Sequence, residues 1–433
     1  MQVEKLYLAV YRVLQAVSIP FVPLLGLYCV TRAKYRNQFL MRLGVGLAKP
    51  AGKGPLIWIH AMSLGEYHAA RPLIRHVSSG LKGARILVSA TTASGLNAIK
   101  RDKFRQDKYT TTVLPFDLSF VTKRFISKIK PDCFVLVETD IWPGLLHQLR
   151  QRGCSIILAN GSISSKSAKR LSRLPGAAEF LYGPFSCLGM QSKDDARRLL
   201  DLGLDAEKIV TLGNLKFDIR PPQISDTERA RLLKATGFDQ KDTIICCGST
   251  HEPEERLLLD TFLKVRKQAS YIKIIVAPRD VRRAEKICTL CERLSLKWRR
   301  RSADSGERTP DVFIIDTLGE LLSFYALSTV SFVGGSLARI GGHNLLEPVY
   351  FKKPVIFGPH IESCREMAQA LIRAGAGFCV SDKTELEKTM KELLYNENRR
   401  RRAKESAACF MKSHQGVAKR YVDIIKAKLN YGL

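Results

Sequence analysis

The stretch whose reading decides the fold is SFVGGSLARIGGHNLLEPVYFKKPVIFGP, residues 331–359. An apolar strand over 329–333 runs into Gly334-Gly335-Ser336. A second glycine pair, Gly341-Gly342, leads into His343-Asn344-Leu345-Leu346-Glu347-Pro348. A second apolar strand over 354–357 ends at Gly358-Pro359. Strand, glycine turn, polar cluster, helix, strand is the order of a parallel α/β unit. Glycine lets a backbone turn sharply and come close to a ligand, and a helix N-terminus beside such a turn attracts anions. The stretch predicts a nucleotide or phosphate site at the carboxyl ends of parallel strands. An ordinary structural turn fits the same letters.

The alternation continues on both sides. After residue 243 short apolar runs recur as TIICCGS, KIIVAP, VFIID, TVSFVGG, PVIFG and AGFCV. Between residues 55 and 214 they recur as LIWIHA, RILVSA, TVLPF, CFVLVE, SIILAN, CLGMQS and VTLGN. Each has the length of a buried parallel strand, with amphipathic connections between them. The fold class is α/β, with two doubly wound, Rossmann-like domains facing a cleft. They are expected over 37–218 and 243–433, joined over 219–242 by a polar, proline-bearing stretch read as the linker plus an entering helix. A basic, amphipathic helix over 416–429, counted with the second domain, is expected as a final crossover helix.

At 433 residues the chain can bury two separate cores. Hydrophobic content of 45% with 26% charged residues is that of a folded globular protein. The formal net charge is +29, from 70 Lys+Arg against 41 Asp+Glu, which calls for an anionic partner: nucleic acid, a membrane surface or acidic substrates. No basic motif interleaved with aromatics accompanies the charge, so nucleic acid is not the expected partner. The eleven cysteines, such as Cys133, Cys246, Cys247 and Cys379, lie largely in apolar runs and read as core residues rather than a disulfide framework. Cys288 and Cys291 form one CxxC, expected on the buried face of a helix.

Residues 13–30, VLQAVSIPFVPLLGLYCV, are almost free of charge, and Arg32, Lys34, Arg36 and Arg42 follow. Segment 1–36 is expected to be a membrane anchor, spanning the bilayer or dipping into one leaflet, with both domains on the cytoplasmic side. Pro20 and Pro23 would kink such a helix. A buried N-terminal helix is the alternative.

The polar residues that could carry chemistry cluster after the apolar runs. Glu66 follows LIWIHA at the first turn of a helix, whose dipole favours an ionised carboxylate there. A carboxylate so placed suits a general base, though helix capping also uses one. Glu138 follows CFVLV at the same end of the same sheet. Lys216, in GNLKFD, is expected to point toward the cleft, where an ammonium would suit a phosphate or a carboxylate. In the second domain, Gly248-Ser249-Thr250-His251, Pro278-Arg279, Asp316-Thr317-Leu318-Gly319-Glu320 and the opening stretch occupy four successive strand ends. Arginine and helix N-termini suit phosphate, and a glutamate suits ribose hydroxyls. The chain has no Walker A motif, no GxGxxG after its first strand, no HExxH and no serine elbow, and its histidines do not group at metal spacing. No metal and no other cofactor are expected.

With those residues laid out, the chain resembles the transferases of 3-deoxy-D-manno-octulosonic acid (Kdo) in bacterial lipopolysaccharide synthesis. The pieces that carry the resemblance are WIHAMSLGE (58–66), ETDIWP (138–143), GNLKFD (213–218), GSTHEPEE (248–255) and FVGGSLARIGGHNLLEP (332–348). The resemblance implies a GT-B glycosyltransferase, metal-independent, moving Kdo from CMP-Kdo to a lipid A precursor with inversion. It implies Glu66 as proton acceptor, with Glu138 and Lys216 stabilising the transition state. It implies CMP contacts at Pro278, Arg279, Leu318, Gly319, Glu320, Asn344, Leu345, Leu346 and Glu347. It implies partners too: a phosphorylated lipid acceptor and the anionic surface of the inner membrane. Three positions depart from the family pattern. Asp280 replaces a histidine, Leu318 a methionine and Leu345 a proline; Asp280 is expected to weaken the attraction of a nearby phosphate. The readings that remain beside this one are another GT-B transferase or epimerase and a basic, non-catalytic membrane or nucleic-acid binding protein.

Overall fold

The computed structural model describes residues 2–31, 33–47, 50–105, 108–138, 140–267, 269–303 and 309–431. They form two compact units, Met1–Ile219 with Gly416–Leu433, and Arg220–Gln415.

The first unit is built on seven parallel strands: β1 (Leu56–His60), β2 (Arg85–Ala90), β3 (Thr110–Val113), β4 (Cys133–Val137), β5 (Ser155–Gly161), β6 (Cys187–Met190) and β7 (Ile209–Thr211). Their order across the sheet is β3-β2-β1-β4-β5-β6-β7. Successive side chains alternate between the faces of the sheet, so β1 feeds two cores. Ile57 and Ile59 pack into one, with Leu73, Ile74 and Val77. Leu56 and Trp58 pack into the other, with Phe125 and Leu145. A strand buried on both faces must be apolar throughout, which is why these runs stand out in the sequence.

The second unit repeats the plan with β8 (Thr243–Thr250), β9 (Ile272–Pro278), β10 (Trp298–Arg300), β11 (Val312–Ile314), β12 (Val330–Val333), β13 (Val355–Phe357) and β14 (Gly377–Cys379). The order is β10-β11-β9-β8-β12-β13-β14. The thirteen apolar runs all become strands. Only β10 has no counterpart among them; it is an edge strand, half-exposed, and two of its three residues are arginines.

Each sheet reverses its winding once, between β1 and β4 in the first unit and between β8 and β12 in the second. At such a reversal the loops from the two strands leave in opposite directions and open a crevice at the carboxyl edge. Glu66 and Glu138 follow β1 and β4. The glycine turn of 334–336 follows β12, and Ser249 to His251 end β8.

Three expectations change. The final helix, Val417–Lys428, belongs to the first unit rather than the second. Its Val417, Ala418, Tyr421, Val422 and Ile425 are buried in the first unit's core, and the Asp218 carboxylate accepts from the Gly416 and Ala418 amides at 2.6 Å each. The linker proper is shorter than 219–242: the entering helix expected in that stretch is Asp226–Thr236, capped by Ser225, and it belongs to the second unit. Among the cysteines, Cys133, Cys246, Cys247, Cys288 and Cys291 are buried as expected, whereas Cys379 on edge strand β14 is exposed.

At the N-terminus, helix Gln2–Ser18 passes through a 3-10 turn at Ile19–Phe21, where Pro20 stands, into helix Val22–Val30. Lys5–Tyr28 is long and apolar enough to cross a membrane by length and composition. One face of the first helix is docked: Tyr7 stacks on Phe180, with ring centroids 5.5 Å apart, and Tyr11 donates to Asp117 Oδ2 at 2.6 Å. Leu6, Val10, Val13 and Val17 on other faces are exposed.

Candidate functional site

The first unit gathers its polar residues where the winding reverses. Ser63 caps helix Leu64–Gly80 by accepting from the Glu66 amide at 3.4 Å. The Glu66 carboxylate turns back to accept from the Met62 amide at 2.6 Å. Sequence position alone favours an ionised Glu66. The structure reverses that balance. Burial lifts its carboxyl to about 7, the charges of Glu138 and Asp140 add to the rise, and the bonds from Met62 and Ser63 only partly oppose it.

Glu138 follows β4 in the left-handed backbone region, φ 68°, and its neighbour on β5, Asn160, does the same at φ 59°. Non-glycine residues are costly there and are kept where the surroundings dictate them. Asn160 is fully buried, and its contacts show what dictates it. Its amide donates to Tyr421 Oη at 2.8 Å, and its side-chain oxygen accepts from the Leu215 amide at 2.8 Å. Its carbonyl accepts from Gln191 at 2.8 Å, and its side-chain nitrogen lies 3.4 Å from Glu138 Oε1. Asn160 thus ties the Glu138 loop to the segment that carries Lys216. Lys216 Nζ stands 3.9 Å from Glu138 Oε1. The three residues expected to act together are brought to one edge of one sheet, with Lys216 facing Glu138.

Beneath them lies a relay that the sequence reading missed. Trp58 Nε1, a donor only, gives to Ser89 Oγ at 2.7 Å. The Ser89 hydroxyl lies 2.8 Å from His60 Nδ1, and on the other side of the ring His60 Nε2 lies 3.3 Å from Asp140 Oδ2. Burial holds His60 below its ordinary pKa despite the pull of Asp140. For Asp140, burial opposes ionisation, yet the bonds from His60 and Thr91 hold it below the ordinary carboxyl value. Asp140 is therefore a fixed negative charge beside Glu66. The signal was a histidine closing an apolar strand, inside WIHA.

In the second unit the glycine turn is not an open phosphate cradle. The Glu254 carboxylate, fully buried, accepts from the amides of Gly335, Ser336, Leu337 and Ala338 at 2.8–3.1 Å, and from His251 at 2.9 Å. The anion that the amides of 335–338 attract belongs to the protein itself. Gly334 is required for a different reason: a Cβ there would lie 2.4 Å from the Ser249 carbonyl oxygen. Above this knot the rings of His251 and His343 stack, Nε2 to Nε2 at 2.8 Å.

The expected nucleotide contacts lie around that pair. Pro278 closes β9, and the exposed Arg279 gives its amide to the Thr250 carbonyl at 3.0 Å. Among the described residues no carboxylate pairs with the Arg279 guanidinium. Burial raises the carboxyl of Glu347, with Asn344 and Arg279 opposing, and lowers His343, with His251 and Arg279 adding to the fall. Asn344 Oδ1 accepts from the Leu346 amide at 3.2 Å, so its side chain is held over the turn. Leu345 and Leu346 are fully buried, backbone included. Leu318 is 82% exposed beside Gly319 at φ 87°, and Glu320 is gripped by Arg301 at 2.7 Å. Asp280 caps Arg282 by accepting from its amide at 3.1 Å and pairs with its guanidinium at 2.8 Å.

A family model described as 3-deoxy-D-manno-octulosonic-acid transferase (kdotransferase) matches residues 37–219. The 3-deoxy-D-manno-octulosonic acid transferase of Bordetella pertussis is 32% identical over 395 residues, 88% of this chain and 89% of that protein. A bifunctional glycosyltransferase/methyltransferase of Fusobacterium nucleatum is 32% identical over 345 residues; the match takes in 79% of this chain and only 53% of that longer protein. Among solved structures, UDP-GlcNAc 2-epimerase from Neisseria meningitidis superposes with a TM-score of 0.59 at 12% identity, over 87% of this chain and 100% of that one, a likeness of fold alone. The two parallel sheets and these neighbours make the fold GT-B. Matched along nearly nine-tenths of its length by a transferase of that name, the chain belongs to the 3-deoxy-D-manno-octulosonic acid (Kdo) transferase family and is a glycosyltransferase.

Proposed function

We propose that the protein moves Kdo from CMP-Kdo to a phosphorylated lipid A precursor, inverting the anomeric carbon, with no metal and no other cofactor. The observation that carries this reading is Glu66: a buried carboxyl near pKa 7, at the crevice, flanked by Glu138, Asp140 and Lys216. A general base works best with a pKa near the operating pH. Ionised Glu66 takes the proton of the acceptor hydroxyl as its oxygen attacks the anomeric carbon, and the bond from that carbon to the CMP phosphate breaks on the opposite side. Positive charge growing on the sugar is met by Glu138, and Lys216 suits the sugar's own carboxylate. Arg279 receives the charge left on the phosphate. Asn344 and Glu347 hold the nucleoside, with Glu320 on the ribose. Pro278, Leu318 and Gly319 contribute mainly backbone, and the buried Leu345 and Leu346 anchor the turn that carries Asn344 and Glu347.

The net charge of +29 suits donor, acceptor and an anionic membrane alike. The N-terminal helix supports a place on the cytoplasmic face of the inner membrane, lying in one leaflet rather than crossing it. A helix whose one side is held by Phe180 and Asp117 cannot be ringed by lipid, while its apolar remainder suits the acyl region.

The test is to incubate the purified protein with CMP-Kdo and a lipid A precursor and weigh the product. Kdo-sized mass increments are expected. Glu66→Gln should lower the rate by about 10²-fold or more and leave protection against melting by CMP intact. Near-normal transfer by that variant would remove Glu66 as the base, and protection by UDP in place of CMP would overturn the donor.

A further inference from the structure

An apolar pocket of about 520 Å³ opens in the first unit beneath the N-terminal helix. Tyr11, Leu14, Gln15 and Ser18, which share one helix face, form its roof. Phe116 and Leu118, from the segment after β3, form its floor, and Trp142 forms one end. Several polar groups of the wall are spent on one another: Asp117 Oδ2 accepts from Tyr11 and the Gly144 amide, the Asp117 carbonyl accepts from Gln15, and Gln15 Oε1 accepts from Ser119 at 2.6 Å, while Asp117 Oδ1 and Trp142 Nε1 are buried without a geometric hydrogen-bond partner among the described residues. What remains to face a ligand is mostly hydrocarbon, at a volume ordinary for small-ligand sites.

Two neighbours say what the ligand is. Leu14, on the pocket rim, is exposed, as are Val10, Val13 and Val17 on the same helix, so the mouth opens beside the face assigned to the bilayer. Trp142, which also lines the pocket, is two residues from Asp140 and four from Glu138, at the carboxyl edge where the chemistry is placed, and its side chain helps hold the Asp140 carboxylate ionised. The pocket is therefore bounded by the exposed apolar helix on one side and by a neighbour of Asp140 on another. We infer that it holds one acyl chain of the lipid acceptor and thereby sets the acceptor's headgroup against Glu66. The inference rests on the acceptor reading above and adds to it a site with a length: affinity is to depend on the chain, not only on the sugar phosphates.

Each methylene buried is worth about fourfold in affinity. Shortening the acyl chains of a synthetic acceptor should raise its KM by about that factor per methylene while the shortened end lies in the pocket. Leu14→Trp, on the exposed rim, and Ser18→Phe should each raise the ratio of KM for acylated over deacylated acceptor by about tenfold, equivalent to one or two methylenes displaced. Equal effects on both acceptors, or none on either, would overturn the pocket. A second readout does not need turnover. An acceptor with brominated chains should quench the Trp142 part of the fluorescence, defined by difference from Trp142→Phe, and brominated phospholipid at matched bromine should not. Equal quenching by both would show immersion in the bilayer and overturn the site, as would no quenching. If the wild type transfers Kdo to neither acceptor, the acceptor reading fails, and quenching alone then decides whether the pocket binds the acyl chain.

Discussion

Glu66 sits in a balance that its sequence position does not predict. The first turn of a helix favours the carboxylate, and burial beside two other acids favours the acid form. Burial wins, and two expected outcomes follow. Transfer should rise with pH with a midpoint near 7, since only ionised Glu66 accepts a proton. Asp140→Asn removes a negative neighbour and should move that limb of the pH–rate profile to lower pH; an unmoved limb would show that Asp140 does not act on Glu66. The same shift bears on stability. The folded state holds the Glu66 proton more tightly than the unfolded chain does, so ionisation costs stability as pH rises from the ordinary carboxyl range through about 7. Glu66→Gln should therefore melt higher than wild type at pH 8, with the gap closing near pH 4. The candidate residues were legible because each follows an apolar run, and a residue after a parallel strand lies at the carboxyl edge. Their protonation was not, because it depends on what packs around them.

At the scale of the element, the glycine turn after β12 shows how far a motif reading carries. Glycines at 334 and 335 marked a tight turn, and the turn is there. What fills it is Glu254, some eighty positions earlier in the chain. Local periodicity carries no record of such a partner. Glu254→Gln puts an NH₂ group where amides need an acceptor, and should cost at least about 2 kcal/mol in chemical denaturation of the second unit. It should also weaken CMP protection, because the turn leads directly to Asn344 and Glu347. Unaltered stability would mean that the turn holds itself. The N-terminal helix is the complementary case. Its apolar letters announced a helix long and apolar enough to cross a membrane, but they carry no sign that Tyr7 and Tyr11 dock one side of it on Phe180 and Asp117.

For the whole molecule, the strand runs foretold two doubly wound units, since strands buried on both faces are written as unbroken apolar runs. The last helix was expected as a crossover but was counted with the second domain, because amphipathicity says that a helix has a buried face without saying which core receives it. The contact that settles it joins residues 261 positions apart, Tyr421 Oη and the Asn160 amide. Tyr421→Phe strips a partner from that amide and from the Gly189 carbonyl. We expect a loss of about 2 kcal/mol in the first unit and a lower kcat with little change in KM for CMP-Kdo, since Asn160 holds the loop of Glu138. The first unit is therefore discontinuous in time as well as in sequence. A ribosome delivers the entire second unit before it delivers the helix that braces Asn160. During synthesis the second unit can fold while the first is still missing a wall. A nascent chain should therefore stay inactive until the return helix arrives.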